Sequence, residues 1–205
     1  MTRWSQNLEQ DYILEYFGDY IGTFCSIGEN DGITFSNVRA LAERSWKGVM
    51  IECDPLAYAR LEALYKGQPN LYTYDYAITG HNGKAILNKS SSLLKTGDIG
   101  LVSTFHASEM ERFKRVVTYE TEEVKCFKWK TALNRWKIKE FSMISIDCEG
   151  EDVAILKQIN LTTCKLLVIE WNSVESVKKE ILDYTSKFGM NKVIYTSGEN
   201  LLICR

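Results

Sequence analysis

Four short apolar runs, Thr23 to Ile27, Gly48 to Glu52, Ser142 to Ile146 and Leu166 to Ile169, are each followed by a segment of helical periodicity. A strand that is apolar at nearly every position must be buried on both faces, and the helix after it carries the chain back for the next parallel strand. This alternation restricts the chain to an α/β architecture with a mostly parallel sheet between helical layers. The spacing predicts helices over Phe35 to Arg44, Leu56 to Lys66, Lys130 to Trp136, Val153 to Ile159 and Val174 to Phe188, with Pro55 in a first helical turn, where its missing N–H has no partner to lose. Further strands are expected at Leu71 to Ala77, Ala85 to Asn88 and Val124 to Phe127. The closing strands Lys192 to Tyr195 and Leu201 to Cys204 flank Thr196-Ser197-Gly198-Glu199-Asn200, so the last pair reads as an antiparallel hairpin.

With 205 residues, two prolines and no Gly/Ser-rich or acidic run, the chain reads as one domain over residues 1–205 with no linker. It opens with a helical segment over residues 1–22. Between about Ser90 and Thr121 the periodicity is weak, marking a candidate substrate-facing insertion. A net charge of −2 supplies no global attraction to nucleic acid or an anionic membrane, so an anionic partner would need a local patch. The N-terminus, MTRWSQNLEQDYILEYF, has neither the apolar core of a signal peptide nor a membrane span, and a cytoplasmic protein is expected. The six cysteines contain no C-x-x-C pair and read as reduced core residues.

The first strand runs into FCSIGENDG, Phe24 to Gly32. Open α/β sheets bind ligands at the carboxyl ends of their strands, and Glu52 ends the second strand about twenty residues after Gly32, where a carboxylate meets ribose hydroxyls. A pyrophosphate site would want G-x-G-x-x-G, and a P-loop a Lys-Ser/Thr pair; neither is present. The side chains of Glu29, Asn30 and Asp31 repel a phosphate but suit an ammonium group and a ribose. S-adenosylmethionine carries both, and its sulfonium is a cation.

The stretches SQNLEQDYIL, FCSIGENDGITFSN, SWKGVMIECDP, YDYAIT, FSMISIDCEGED and LLVIEWN, with an approximate closing run from Lys192 to Leu201, resemble the FkbM-type methyltransferases over nearly the whole chain. The resemblance implies a Rossmann-like class I methyltransferase fold: a mostly parallel seven-stranded sheet with an antiparallel C-terminal hairpin strand and helices on both faces. It implies transfer of a methyl group from S-adenosylmethionine to a hydroxyl of a sugar or glycosylated small molecule. Three positions depart from the family pattern: Ser26 stands where an acid is usual, Glu29 where alanine is usual, and Ser145 where many members carry lysine. Either Glu29 replaces the missing carboxylate toward the methionine ammonium, or the cofactor is held less tightly.

The candidate cofactor-binding residues are therefore Ser26, Gly28, Glu29, Asn30, Gly32 and Glu52, with Asp75, Tyr76 and Ala77 ending the third strand where adenine contacts are implied. For catalysis, Asp147 emerges from a buried strand at the ligand edge and is the first choice to orient or deprotonate the acceptor hydroxyl. Glu149 is read as holding the turn, while Glu151 and Asp152 suit a helix N-terminus. Glu170, with Asn172, leaves the next strand on the same edge toward the acceptor, and His106 is a candidate general base in the insertion. Asp147 with Glu170 is also a candidate holder of Mg²⁺, which some sugar methyltransferases use to polarise a diol.

Two other readings stay open on the sequence. The stretch from Lys125 to Lys139 packs six basic residues with Trp129 and Trp136, either as an amphipathic helix with a solvated basic face or as a surface for RNA or a phosphorylated acceptor. A non-catalytic nucleoside-binding module on the same fold is the third reading.

Overall fold

The computed structural model describes residues 2–95 and 97–205. After helix α1 (Glu9–Phe17), the chain alternates β1 (Thr23–Ile27), α2 (Arg39–Ala42), β2 (Lys47–Glu52), α3 (Pro55–Tyr65) and β3 (Leu71–Asp75). Next come the short strands β4 (Ala77–Ile78) and β5 (Gly83–Ser90), helix α4 (Ala107–Phe113), β6 (Tyr119–Phe127) and α5 (Trp129–Arg135). The chain closes with β7 (Met143–Ile146), α6 (Asp152–Leu156), β8 (Leu166–Glu170), α7 (Glu175–Thr185), β9 (Lys192–Thr196) and β10 (Asn200–Cys204).

Seven strands form one sheet in the order β3-β2-β1-β7-β8-β10-β9. β3, β2, β1, β7 and β8 pair in parallel, and β10 runs antiparallel to both β8 and β9, as the turn residues before it predict. Alternate strand residues build two cores. Cys25, Ile27, Val49, Ile51, Ile144 and Ile146 pack with Trp129, Ile155 and Ile181 from α5, α6 and α7 on one face. Phe24, Met50, Met143 and Val168 pack with Ile13, Leu41 and Leu61 from α1, α2 and α3 on the other. The order reverses between β1 and β7, so the crevice at their carboxyl ends is where such a sheet opens for a ligand.

Several boundaries differ from the sequence expectation. The strand expected through Ala77 stops at Asp75. Ala77 and Ile78 instead join a separate three-stranded sheet, β4-β6-β5, in which β5 and β6 run antiparallel from Gly83↔Cys126 to Ser90↔Tyr119. The region of weak periodicity is therefore bounded by paired strands and holds α4 inside it. The helix expected from Phe35 begins only at Arg39, because Phe35 takes φ 59° and the Ser36 hydroxyl accepts the Arg39 N–H at 3.0 Å. At α3, Asp54 accepts the N–H groups of Leu56 and Ala57 at 2.9 and 3.3 Å ahead of Pro55, a cap worth about 1 kcal/mol.

Trp129 and Trp136 are both buried and meet edge to face at 5.1 Å, with the Trp136 indole N–H donated to the Tyr76 hydroxyl. Arg135 lies over Phe127 and Lys137 over Tyr72. The aromatic half of the basic stretch is thus core, and its cations cover the rings of neighbouring strands. All six cysteines are unpaired; four are buried, but Cys53 and Cys148 are half-buried. Among the described residues no helix is long and apolar enough to cross a membrane.

Candidate functional site

A cavity of about 240 Å³ opens at the carboxyl ends of β1, β2, β7 and β8 and is closed from above by residues of the insertion. Its floor is polar because β1 and β7 place Ser26 and Ser145 side by side, and Asn37 donates to the Ser145 hydroxyl at 3.4 Å. Of the six non-glycine residues with positive φ among the described residues, Asn30, Phe35, Glu149 and Asn172 line this cavity. Left-handed backbone at such residues costs free energy that the surrounding contacts must offset, and its concentration around one cavity points to a built site.

The β1 turn is tied to both neighbouring strands. Gly28 and Glu29 donate their N–H groups to the Ile51 carbonyl at 3.0 and 3.1 Å, and Asp147 N–H reaches the Ile27 carbonyl at 3.0 Å. Gly28 has φ +77°, and a Cβ there would lie 1.8 Å from the Asp147 carbonyl oxygen. Only glycine allows the two loops to approach so closely. Gly32 has a different use: a Cβ there would meet Leu61 at 2.8 Å and Tyr65 at 3.0 Å, so this glycine lets the turn pack on α3, and it does not line the cavity.

Glu29 is buried, and its carboxylate accepts the hydroxyls of Ser36 and Ser26. Burial pushes its pKa up to about 7, with these hydroxyls pulling the other way. Glu52 is held in the same manner, accepting Asn30 N–H on one oxygen at 2.8 Å and Asp54 N–H on the other at 2.7 Å, and burial again raises its pKa to about 7. Asn30 also donates from its carboxamide to the Ile99 carbonyl at 2.6 Å, joining the turn to the insertion. Tyr76 and Ala77 line the cavity next to Cys53. Asp75 does not: its exposed side chain pairs with Lys125 at 2.9 Å.

At the β7 edge, Asp147, Glu149 and Glu170 bring one oxygen each to within 4.8 Å of one another. Burial is the first cause raising all three pKa values, to about 7 for Asp147 and well above the ordinary range for the two glutamates; repulsion from Asp152 adds to it in all three, and repulsion from Asp147 in both glutamates. The turn-holding part expected of Glu149 belongs to Asp152, which accepts Cys148 N–H at 2.9 Å and Gly150 N–H at 3.1 Å. Glu149 instead faces the other acids, with φ 45°. His106 does not line the cavity; its Nε2 lies 2.9 Å from Glu151, a lining residue. Together with the Thr104 hydroxyl donated to the Glu149 carbonyl at 2.7 Å, this contact docks the insertion on the β7 turn.

The sequence did not single out Arg112, Phe105 and Phe113 of the insertion or Glu199 of the last hairpin, all of which line the cavity. They lie in the weakly periodic segment or in a turn, where nothing local marks a ligand wall. Cys53 and Cys148 also line it, against the expectation of six core cysteines, and burial holds both thiols well above their usual pKa, so neither is a thiolate nucleophile.

The family model described as "Methyltransferase FkbM domain" matches residues 26–190. No curated protein matches the chain in sequence. Among solved structures, precorrin-6y C5,15-methyltransferase from Geobacter metallireducens GS-15 is similar with a TM-score of 0.50 at 9% identity, over 99% of this chain and 90% of that one. The delta-N METTL16 MTase domain is similar with a TM-score of 0.51 at 8% identity, over 95% of this chain and 78% of that one. At these identities the likeness is one of fold, the Rossmann-like methyltransferase sheet.

Proposed function

The chain belongs to the FkbM methyltransferase family, and from that premise we propose that it transfers a methyl group from S-adenosylmethionine to a hydroxyl oxygen of a sugar or glycosylated small molecule. The observation that carries this reading is the acidic lining of the cavity. Glu29, Glu52, Asp147, Glu149, Glu151, Glu170 and Glu199 line it, against Arg112 as the one cation among the described residues. Burial holds the pKa of five of these acids up; a cofactor that is a sulfonium and an ammonium favours their ionised forms and gains from them, whereas phosphate groups are disfavoured.

In this reading Gly28 and Asn30 shape the turn that lets the cofactor approach the backbone. Glu29, through its contact with Ser26, supplies the carboxylate for the methionine ammonium that residue 26 itself lacks. Glu52 keeps both oxygens fixed by backbone N–H groups and offers its remaining lone pairs to the ribose hydroxyls. Tyr76 and Ala77 flank the adenine. The position of Asp75 beside Lys125, of Gly32 against α3 and of His106 on Glu151 gives these three supporting parts outside the cofactor contacts.

With S-adenosylmethionine bound, the cofactor would supply the methyl group to the acceptor oxygen and be released as S-adenosylhomocysteine; Asp147 would orient the acceptor hydroxyl and take its proton, passing it on to water. Alignment of the two reactants supplies most of the acceleration in such a transfer. Glu170 and Asn172 stand on the acceptor side. Six unpaired cysteines fit a reducing compartment, in keeping with a cytoplasmic enzyme.

The nucleic-acid reading loses its support in two places: the tryptophans of the basic stretch are buried, and the cavity is acidic. A labelled-methyl transfer screen over glycans, glycosylated metabolites and RNA tests the proposal. Label in a polyhydroxylated acceptor is expected, and label confined to RNA would overturn the acceptor assignment.

A further inference from the structure

Asp147 at the end of β7, Glu149 in the following turn and Glu170 at the end of β8 direct three carboxylates at one point, with no two of the chosen oxygens more than 4.8 Å apart. Three acids at this spacing repel one another, and a fold that keeps them needs protons or a positive charge between them. Among the described residues the positive charge of Arg112 favours the ionised form of Glu149 but does not overcome the burial that raises its pKa. Arg112, the one cation lining the cavity among the described residues, gives its guanidinium N–H groups to Glu109 at 3.2 Å and Asn172 at 3.1 Å.

A second observation points to a ligand. Glu170 is only 6% exposed, yet its Oε2 has no hydrogen-bond partner, and the Oε2 of Glu149 is buried and unpartnered as well. Buried carboxylate oxygens are almost always satisfied, and here two orphans belong to the same cluster at the wall of the same cavity. Asp152, three residues after Glu149, accepts the turn's N–H groups on both of its oxygens, so the turn itself does not require the Glu149 orphan.

We infer that Asp147, Glu149 and Glu170 form a binding site for one hard divalent cation. Oxygen ligands on the same side of an ion lie about 3 Å apart around Mg²⁺ and about 3.3–3.7 Å apart around Ca²⁺. Oxygens within 4.8 Å of one another reach the Ca²⁺ spacing after a contraction of no more than about 1–1.5 Å, and the Mg²⁺ spacing after a slightly larger one. Three protein ligands on one side leave the remaining positions facing the cavity, where two neighbouring hydroxyls of an acceptor would complete the shell. The acceptor class that fits is therefore a vicinal diol, whose hydroxyl becomes more acidic on the cation. The diol rests on the methyltransferase reading; cation binding does not.

The full chain, stripped with chelator and dialysed, is titrated with MnCl₂, MgCl₂ and CaCl₂ without S-adenosylmethionine, following heat and, for Mn²⁺, the loss of its free-ion electron paramagnetic resonance signal. One ion per chain is expected, with affinity at least tenfold weaker in Glu149→Gln and in Glu170→Gln, both checked for native circular dichroism. Failure of the wild-type chain to take up any of the three ions at millimolar concentration would overturn the site, as would uptake unchanged in both variants. Because the cofactor is absent, a negative result here leaves S-adenosylmethionine binding to be judged separately.

Discussion

Two corners of one cavity hold buried acids in opposite ways. In the corner built by β1 and β2, the oxygens of Glu52 accept backbone N–H groups and Glu29 accepts the hydroxyls of Ser26 and Ser36. In the corner built by β7 and β8, Glu149 and Glu170 each leave an oxygen without a partner. The first corner is pre-organised by fixed donors and is ready for an organic ligand with ammonium and hydroxyl groups. The second is incomplete until something positive arrives. Burial raises the carboxyl pKa in both, so desolvation alone does not separate them; the supply of donors does.

The comparison is broken most severely at Asp147. Replacement by alanine removes the acid nearest the proposed hydroxyl and should lower methyl transfer roughly 10²- to 10⁴-fold, while calorimetry finds S-adenosylmethionine still bound. An equal loss of both would move Asp147 to the first corner. At Glu29, the glutamine variant tests whether the first corner holds an ammonium. With a pKa of about 7, the wild-type carboxyl gains charge as pH rises from 6 to 8, so cofactor affinity should rise up to about tenfold over that range. In Glu29→Gln that rise should disappear from the binding isotherms.

Gly28 joins the corners. Gly28→Ala puts a Cβ where the Asp147 carbonyl lies 1.8 Å away, and the strain should cost at least about 2 kcal/mol, read as a fall in Tm of roughly 5 °C or more. Stability against pH gives a smaller effect. Glu29 and Glu52 have folded pKa values of about 7, above the ordinary 4.5. The folded chain therefore binds more protons than the unfolded one between those values, and stability is present in full below about pH 4.5, falls as pH rises through the window and levels off above about 7. Thermal melts of the ligand-free protein should show this slope, shallower in Glu29→Gln. The smallest effect is expected at the basic stretch: Lys128→Glu with Lys130→Glu, both exposed, should leave cofactor affinity within about twofold.

The parallel sheet was legible because its strands are apolar at successive positions, and the hairpin order followed from Thr196 to Asn200. The β1 turn, Glu52 and Asp147 were legible as residues at strand ends. What escaped was long-range. Nothing in YDYAIT says that Tyr76 breaks a strand so that Ala77 and Ile78 pair with Cys126 and Phe127, fifty residues away. Likewise Arg112 and Phe113 sit on a short helix with no buried residue, and only the docking of the insertion by Thr104 and His106 brings them to the cavity. Asp152 took the turn-holding part expected of Glu149 because the turn's left-handed residues, Glu149 and Gly150, decide where each side chain points.

The most direct measurement is calorimetry of the full chain with S-adenosylmethionine, S-adenosylhomocysteine and NAD at pH 6 and pH 8. One sulfur nucleoside per chain, bound more tightly at the higher pH, and no heat from NAD is the result predicted for an acid-lined cofactor cavity. Absence of binding by both sulfur nucleosides, or a preference for NAD, would contradict it.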